Sequence, residues 1–146
     1  MFRGGDQAKI DNKGRLKIPA QHRQTLFAEY GPEVFMTVIR DRQLTIYPLE
    51  IWKAKEQKLL QMPDSVEAKH RFLTIANFFG AAKTVDDQGR VAIPPHIRQR
   101  ADLEEDVAVI SNLHTLQVMN AQHMETYVDE HPLDEATFAA LRECGF

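Results

Sequence analysis

The side chains best suited to chemistry come in two matching sets. The segment Asp11-Asn12-Lys13-Gly14-Arg15-Leu16-Lys17-Ile18-Pro19-Ala20-Gln21-His22-Arg23-Gln24 recurs 75 positions later as Asp86-Asp87-Gln88-Gly89-Arg90-Val91-Ala92-Ile93-Pro94-Pro95-His96-Ile97-Arg98-Gln99, with seven of fourteen positions identical. Each set places an arginine, Arg15 or Arg90, directly after a glycine free to take the positive φ of a tight turn. A guanidinium held at such a turn can grip a guanine edge through two parallel bonds. Lys13 and Lys17 would supply phosphate contacts, which position a polyanion without reading it, and Arg3 extends this cationic set toward the N-terminus. Asp11 and Asp86 are poor ligands for a polyanion. They suit bracing instead, since an Asp carboxylate bonds forward to turn amides, and Gly14 and Gly89 complete that turn-holding group. Alternatively, each guanidinium stays at home and closes an ion pair with the Asp of its own turn.

Other chemistries find little support. The single cysteine, Cys144, permits no intrachain disulfide and no Cys pair for a metal. No two of the six histidines are three or four residues apart, the usual spacing of helical metal ligands. No Ser-His-Asp, Cys-His or paired-carboxylate arrangement stands out, and no phosphate-binding Gly loop is present, so the chain is expected to be neither an enzyme nor a cofactor or metal carrier. The acidic run Asp102, Glu104, Glu105 and Asp106 reads as a solvated loop, with a metal or partner contact behind it.

The elements that must present the turns follow from periodicity. Residues 6 to 10 form a first strand; the turn at 11 to 15 leads to a second, in which Leu16 and Ile18 face inward while Arg15 and Lys17 face outward. Pro19 ends that strand and opens a helix to about Tyr30, which Gly31-Pro32 stops. Val34 to Ile39 and Leu44 to Tyr47 read as a hairpin. Leu49 to Gln61 is helical, with Trp52 and Leu59 inward. Asp64-Ser65-Val66-Glu67 resembles a capping box opening a second helix that Gly80 ends. A second copy follows: strand 81 to 85, turn, strand to Ile93, a short helix from Pro94 to Ala101, and a hairpin of Val107 to Ile110 with Leu113 to Met119. A helix near Ala121 to Glu130 sets Met124 in the place of Trp52, and a tail helix carries an apolar face of Leu133, Phe138 and Leu141. Helix spacing favours packing over base stacking for the aromatic residues.

These motifs carry a family resemblance. Met1-Phe2-Arg3-Gly4, the two Asp-x-x-Gly-Arg turns followed by apolar-x-Ile-Pro, and Tyr47-Pro48-Leu49 before Trp52 together resemble the MraZ family of bacterial transcriptional regulators, over nearly the whole chain apart from its last dozen or so residues. The resemblance implies an α+β fold of tandem AbrB-like swapped-hairpin β-barrel halves with flanking helices, both turns lying on one face. It divides the chain into a first repeat at 1–48, connecting helices at 49–80, a second repeat at 81–120 and C-terminal helices at 121–146. It also implies a sequence-specific, DNA-binding repressor that assembles as a homo-oligomeric ring. Such a protein would bind short direct repeats in double-stranded DNA upstream of the division and cell-wall gene cluster, and so control its own promoter. A different class, an AbrB-like protein-interaction module capturing a protein partner, remains the alternative. The second turn departs from the first, with Asp87, Gln88 and Ala92 where the first has Asn12, Lys13 and Lys17, so Arg15, Lys13 and Lys17 carry more weight than Arg90.

Charge distribution is consistent with a polyanion partner although the net charge is −3. Residues 1 to 75 hold 13 Lys and Arg against 9 Asp and Glu, whereas residues 76 to 146 hold 5 against 12. A basic face on an acidic body can bind phosphate locally while the whole stays soluble. Two units of about 70 residues would each bury only roughly 60% of their unfolded surface, so they are expected to share a core. With no apolar run long enough for a bilayer and no signal-peptide layout, the expected location is cytoplasmic and nucleoid-associated, with no membrane partner.

Overall fold

Alternating Val, Ile, Leu and aromatic residues build two antiparallel hairpins in the computed structural model, which describes all 146 residues. The strands are β1 (Gly5–Lys9), β2 (Arg15–Lys17), β3 (Glu33–Arg40), β4 (Gln43–Pro48), β5 (Gly80–Thr84), β6 (Arg90–Ala92), β7 (Asp106–Asn112) and β8 (Thr115–Asn120). The helices are α1 (Ala20–Glu29), α2 (Leu49–Gln61), α3 (Glu67–Phe78), α4 (Pro95–Arg100), α5 (Ala121–Glu130) and α6 (Glu135–Glu143). The fold is α+β, and no helix is long and apolar enough to cross a membrane.

Strand partners come from the opposite copy. One sheet of six strands runs β1-β7-β8-β4-β3-β5, so the first strand of each copy lies beside the hairpin of the other. The second strands, β2 and β6, pair with each other in a separate two-stranded ribbon. Within the first copy, a single bridge, Ile10 to Leu16, is the only ladder pairing across the turn. Strand, turn and second strand form where expected, but the second strand pairs across the copies instead of with the first. A three-residue strand closed by a proline offers too few ladder bonds to hold its own copy's neighbour, whereas exchange buries both copies' apolar sets together. The sheets are open, so the expected closed barrel is not what forms.

One apolar core serves both copies. Leu16, Ile18, Met36 and Ile46 from the first copy meet Val91, Ile93, Val107 and Leu116 from the second, each nearly or fully buried. This core fills the space between the ribbon and the inner face of the six-stranded sheet. The outer face carries a second cluster, in which Phe35, Tyr47 and Ala76 surround Trp52 beneath α2 and α3. Thr37 fastens this layer, its hydroxyl donating to the Ala76 carbonyl at 2.7 Å. The aromatic residues of this region pack as expected; Leu59 is half-buried.

Three local details differ from the expectation or add to it. The capping box at Asp64 does not form, because α3 starts at Glu67. Asp64 instead accepts from the buried Lys69 ammonium at 2.8 Å, which also donates to the Met62 carbonyl and so ties the end of α2 to α3. Helix α3 ends at Phe78, just before Gly80 as expected, and Gly80 itself is the first residue of β5. A Cβ there would lie 2.3 Å from the Ala76 carbonyl oxygen and 2.5 Å from the Phe35 ring, so glycine lets the strand pass against both. The tail helix α6 buries no residue, and Leu133, Phe138 and Leu141 stay exposed.

Candidate nucleic-acid interface

The two turns are built alike. Asp11 Oδ1 accepts from the amides of Lys13 and Arg15, both at 2.9 Å, while Asp86 Oδ1 accepts from those of Gln88 and Arg90 at 2.9 and 2.8 Å. Gly14 and Gly89 both take positive φ, +78° and +83°, which lets the backbone reverse within four residues. The amide of the residue after the turn glycine, bonded to a charged carboxylate, holds each carboxyl below its ordinary range; for Asp11 the Arg15 amide contributes most, and for Asp86 the Arg90 amide.

Each turn is also clamped by the other copy. The Ile18 amide donates to the Gly89 carbonyl at 2.8 Å and the Ile93 amide to the Gly14 carbonyl at 2.9 Å. Above these bonds lie Arg23 and Arg98, the repeat's other matched arginines. A Cβ on Gly89 would meet Arg23 Cδ at 2.8 Å, and one on Gly14 would meet Arg98 Cζ at 2.8 Å. Arg98 is anchored by an Nε bond to the Ile93 carbonyl at 2.9 Å. Sequence reasoning missed this role for Arg23 and Arg98. Their match within the repeat was a signal, but nothing local told that they cross to the partner turn.

Register decides which side chains share a face. In the ribbon Arg15 stands opposite Ala92, Leu16 opposite Val91, and Lys17 opposite Arg90. Leu16 and Val91 point into the core, so Arg15, Lys17, Arg90 and Ala92 project together from the outer face. Arg15 and Arg90 occupy diagonal positions, where Cβ atoms are separated by roughly 7 to 8 Å. Lys17 is exposed, the two arginines are partly exposed, and Lys13 stands exposed at the tip of the first turn.

The ion-pair alternative holds in part. Arg15 Nε donates to Asp11 Oδ2 at 2.8 Å, yet its side chain remains 41% exposed, and that bond engages neither Nη nitrogen. Arg90 makes no such pair with Asp86; its Nη1 meets the Gln88 side-chain oxygen instead. Arg15 is also close enough to Asp86 for its charge to favour that carboxylate. Arg3 is exposed but lies just before β1, at the end remote from the turn, next to Phe2, whose amide donates a hydrogen bond to the Leu113 carbonyl. The ribbon therefore brings together Arg15, Lys17 and Arg90, with Lys13 at its margin, and leaves Arg3 apart. No group of three His, Cys, Asp or Glu side chains converges as metal ligands would.

Acid should loosen the turns. Both carboxyls titrate lower in the folded chain than in the unfolded one, so their stabilisation is present above the unfolded value and is lost as pH falls through the folded one. Carboxyl NMR titration is expected to place Asp11 and Asp86 below the ordinary 3.8. The Asp11→Asn/Asp86→Asn variant should show a smaller loss of thermal stability on acidification. Midpoints at the ordinary value would rule out the amide bonds as their cause.

Comparison with known proteins agrees with the repeat. The family model described as "MraZ protein, putative antitoxin-like" matches residues 1–75 and 78–143. The chain is 36% identical over 145 residues to a protein of Acidobacterium capsulatum named transcriptional regulator MraZ, covering 99% of each. A protein of the same name from Koribacter versatilis is 34% identical over 145 residues, covering 97% of this chain and 99% of its own. A third, from Halorhodospira halophila, is 39% identical over 111 residues, 75% of this chain and 73% of its own.

Proposed function

The chain belongs to the MraZ family, and from that premise we propose that it is a transcriptional regulator that binds double-stranded DNA through the β2–β6 ribbon. The observation that carries this reading is the shared outer face of Arg15, Lys17 and Arg90. A two-stranded antiparallel ribbon fits the width of a major groove, and a guanidinium with free Nη atoms can take the O6 and N7 of guanine together. Lys13 and Lys17 meet phosphates. The exposed Asp86 and Asp87 make the second turn less cationic, so Arg15 reads and Arg90 assists. The Asp11 and Asp86 carboxylates hold the turns that aim both arginines.

Strand exchange between the copies supports a swapped-hairpin, AbrB-like organisation in which 1–48 and 81–120 are halves of one DNA-binding body, with 49–80 and 121–146 flanking it. Few cations per ribbon mean that one subunit binds weakly. A homo-oligomeric ring on short direct repeats compensates by raising the effective concentration of each further ribbon. The exposed Tyr127, Val128, Leu133 and Phe138 offer apolar surface for that association. The protein acts at the nucleoid as a repressor of its own promoter and of the division and cell-wall genes that follow.

Footprinting of the DNA immediately upstream of the protein's own reading frame tests binding, sequence and autoregulation together. Protection of regularly spaced short repeats is expected, with affinity falling by about 0.9 log units per decade of salt for each phosphate neutralised. Uniform, sequence-independent protection would defeat the proposal.

A further inference from the structure

A cavity of about 480 Å³ opens on the outer face of the six-stranded sheet, between α2 and the turn joining β7 to β8. Strand alternation puts its floor, Thr45 and Gln117, on the side away from the ribbon, so it is separate from the surface assigned to DNA. Its size falls within the roughly 300–1,000 Å³ typical of small-molecule sites. Arg40, Lys55 and His114 line it, and no carboxylate does. None of the three forms an ion pair elsewhere in the molecule. His114 is oriented by Tyr30, whose hydroxyl lies 2.9 Å from Nδ1. A hydroxyl donating there leaves Nε2 to carry the ring proton.

Apolar and aromatic side chains, Ile39, Ile51, Tyr47 and Phe72, complete the lining. Lys55 Nζ lies 5.8 Å from the Tyr47 ring centre. Unpaired cations beside apolar and aromatic side chains suit a ligand that joins an anion to a ring.

The lining is not a by-product of the fold. The pseudo-equivalent cleft lies between α5 and the turn joining β3 to β4, where Met119, His123 and Tyr127 replace Tyr47, Ile51 and Lys55. That cleft is smaller, about 160 Å³, and two carboxylates, Asp41 and Glu130, line it beside Arg42 and His123. Arg42 lies 3.9 Å from Asp41, and His123 Nε2 lies 3.3 Å from Asp102 Oδ2. One architectural position thus carries carboxylates in one half and, in the other, cations with no carboxylate in the lining.

We propose that the cavity between α2 and the β7–β8 turn binds a small phosphorylated ring compound of the nucleoside phosphate class. Arg40 and Lys55 hold the phosphates, His114 Nε2 donates a further bond, Tyr47 and Phe72 pack against the ring, and the Gln43 and Gln117 amides bond to its polar edge. This site does not depend on the DNA-binding role of the ribbon.

Titration calorimetry on the full-length chain, with ATP and GTP as probes and adenosine and inorganic phosphate as controls, tests it. Saturable binding of one nucleotide below about 1 mM is expected, with both controls weaker by about tenfold or more. Arg40→Glu/Lys55→Glu should weaken nucleotide binding by at least about tenfold, since it sets repulsive charge beside the phosphates. Lys55→Gln, a change on an exposed helical position, serves as a milder check should the double variant misfold. Arg15→Ala/Arg90→Ala should leave nucleotide binding unchanged. No saturable binding, equal binding of inorganic phosphate, undiminished binding in Arg40→Glu/Lys55→Glu, or loss of binding in the ribbon variant would each overturn the proposal.

Discussion

Replacing Arg15 with Ala should weaken binding to the cognate operator by ~1–3 kcal/mol per ribbon engaged, about 5- to 150-fold, while leaving the fold intact. The side chain contributes little to stability, since its partner Asp11 is a surface carboxylate and exposed pairs are worth little. Its value lies in two Nη groups that the Asp11 bond leaves free and in a backbone position that the Asp11 carboxylate and the Gly14 turn determine. Arg15→Lys separates charge from geometry: it keeps the phosphate attraction but loses the fork, so non-specific binding should survive while operator preference falls. Arg90→Ala should cost less, because Arg90 already engages Gln88 and stands beside Asp86 and Asp87. The double variant should lose operator preference altogether, and an oligomer would magnify each loss by the number of ribbons bound. Operator and random DNA measured by anisotropy at matched salt provide the check. If Arg15→Ala retained full operator preference, the ribbon would not be the reading surface.

Arg15, Arg90 and their Asp and Gly companions were legible in the sequence because the same chemistry at a fixed spacing survives in one dimension. The turn needs a carboxylate at its start and a positive φ before the arginine, and both are local demands. Element positions were legible for the same reason; α2 spans the expected Leu49–Gln61. Strand partnering was legible only within the two hairpins, where β3 pairs with β4 and β7 with β8 as expected. An apolar run such as Val107 to Ile110 states that it will be buried, not which strand flanks its other edge, and here β1 from the other copy does so. Arg23 and Arg98 illustrate the same limit, for their contacts are with glycines more than 65 positions away in the chain. Asp64 misled because a side chain five residues on, Lys69, outcompetes the helix amides for its carboxylate. The cavity lined by Arg40, Lys55 and His114 has no sequence signature at all, since three separate elements supply it.

Trp52→Ala should be the most damaging single core substitution on the outer face, at about 3–5 kcal/mol, a large share of the roughly 5–15 kcal/mol that stabilises a domain. Trp52 is 3% exposed, stacked at 4.4 Å and 18° on Phe35, tilted against Tyr47 at 5.0 Å and stacked on Phe72 at 6.3 Å. It joins α2 and α3 to the sheet, whereas the ribbon packs on the opposite face within a different cluster. Hydrogen exchange should therefore show α2 and α3 losing protection before β2, β6 and the inner core, and the folded fraction should keep its affinity for DNA. Trp52→Phe should recover much of the loss by retaining a ring against Phe35. The second copy supplies an internal control. Met124 occupies the corresponding place on α5, a helix that buries no residue, so Met124→Ala should cost far less than Trp52→Ala. Equal losses at the two positions, or exchange that rises uniformly along the chain, would mean that the outer aromatic layer is not an independently failing unit.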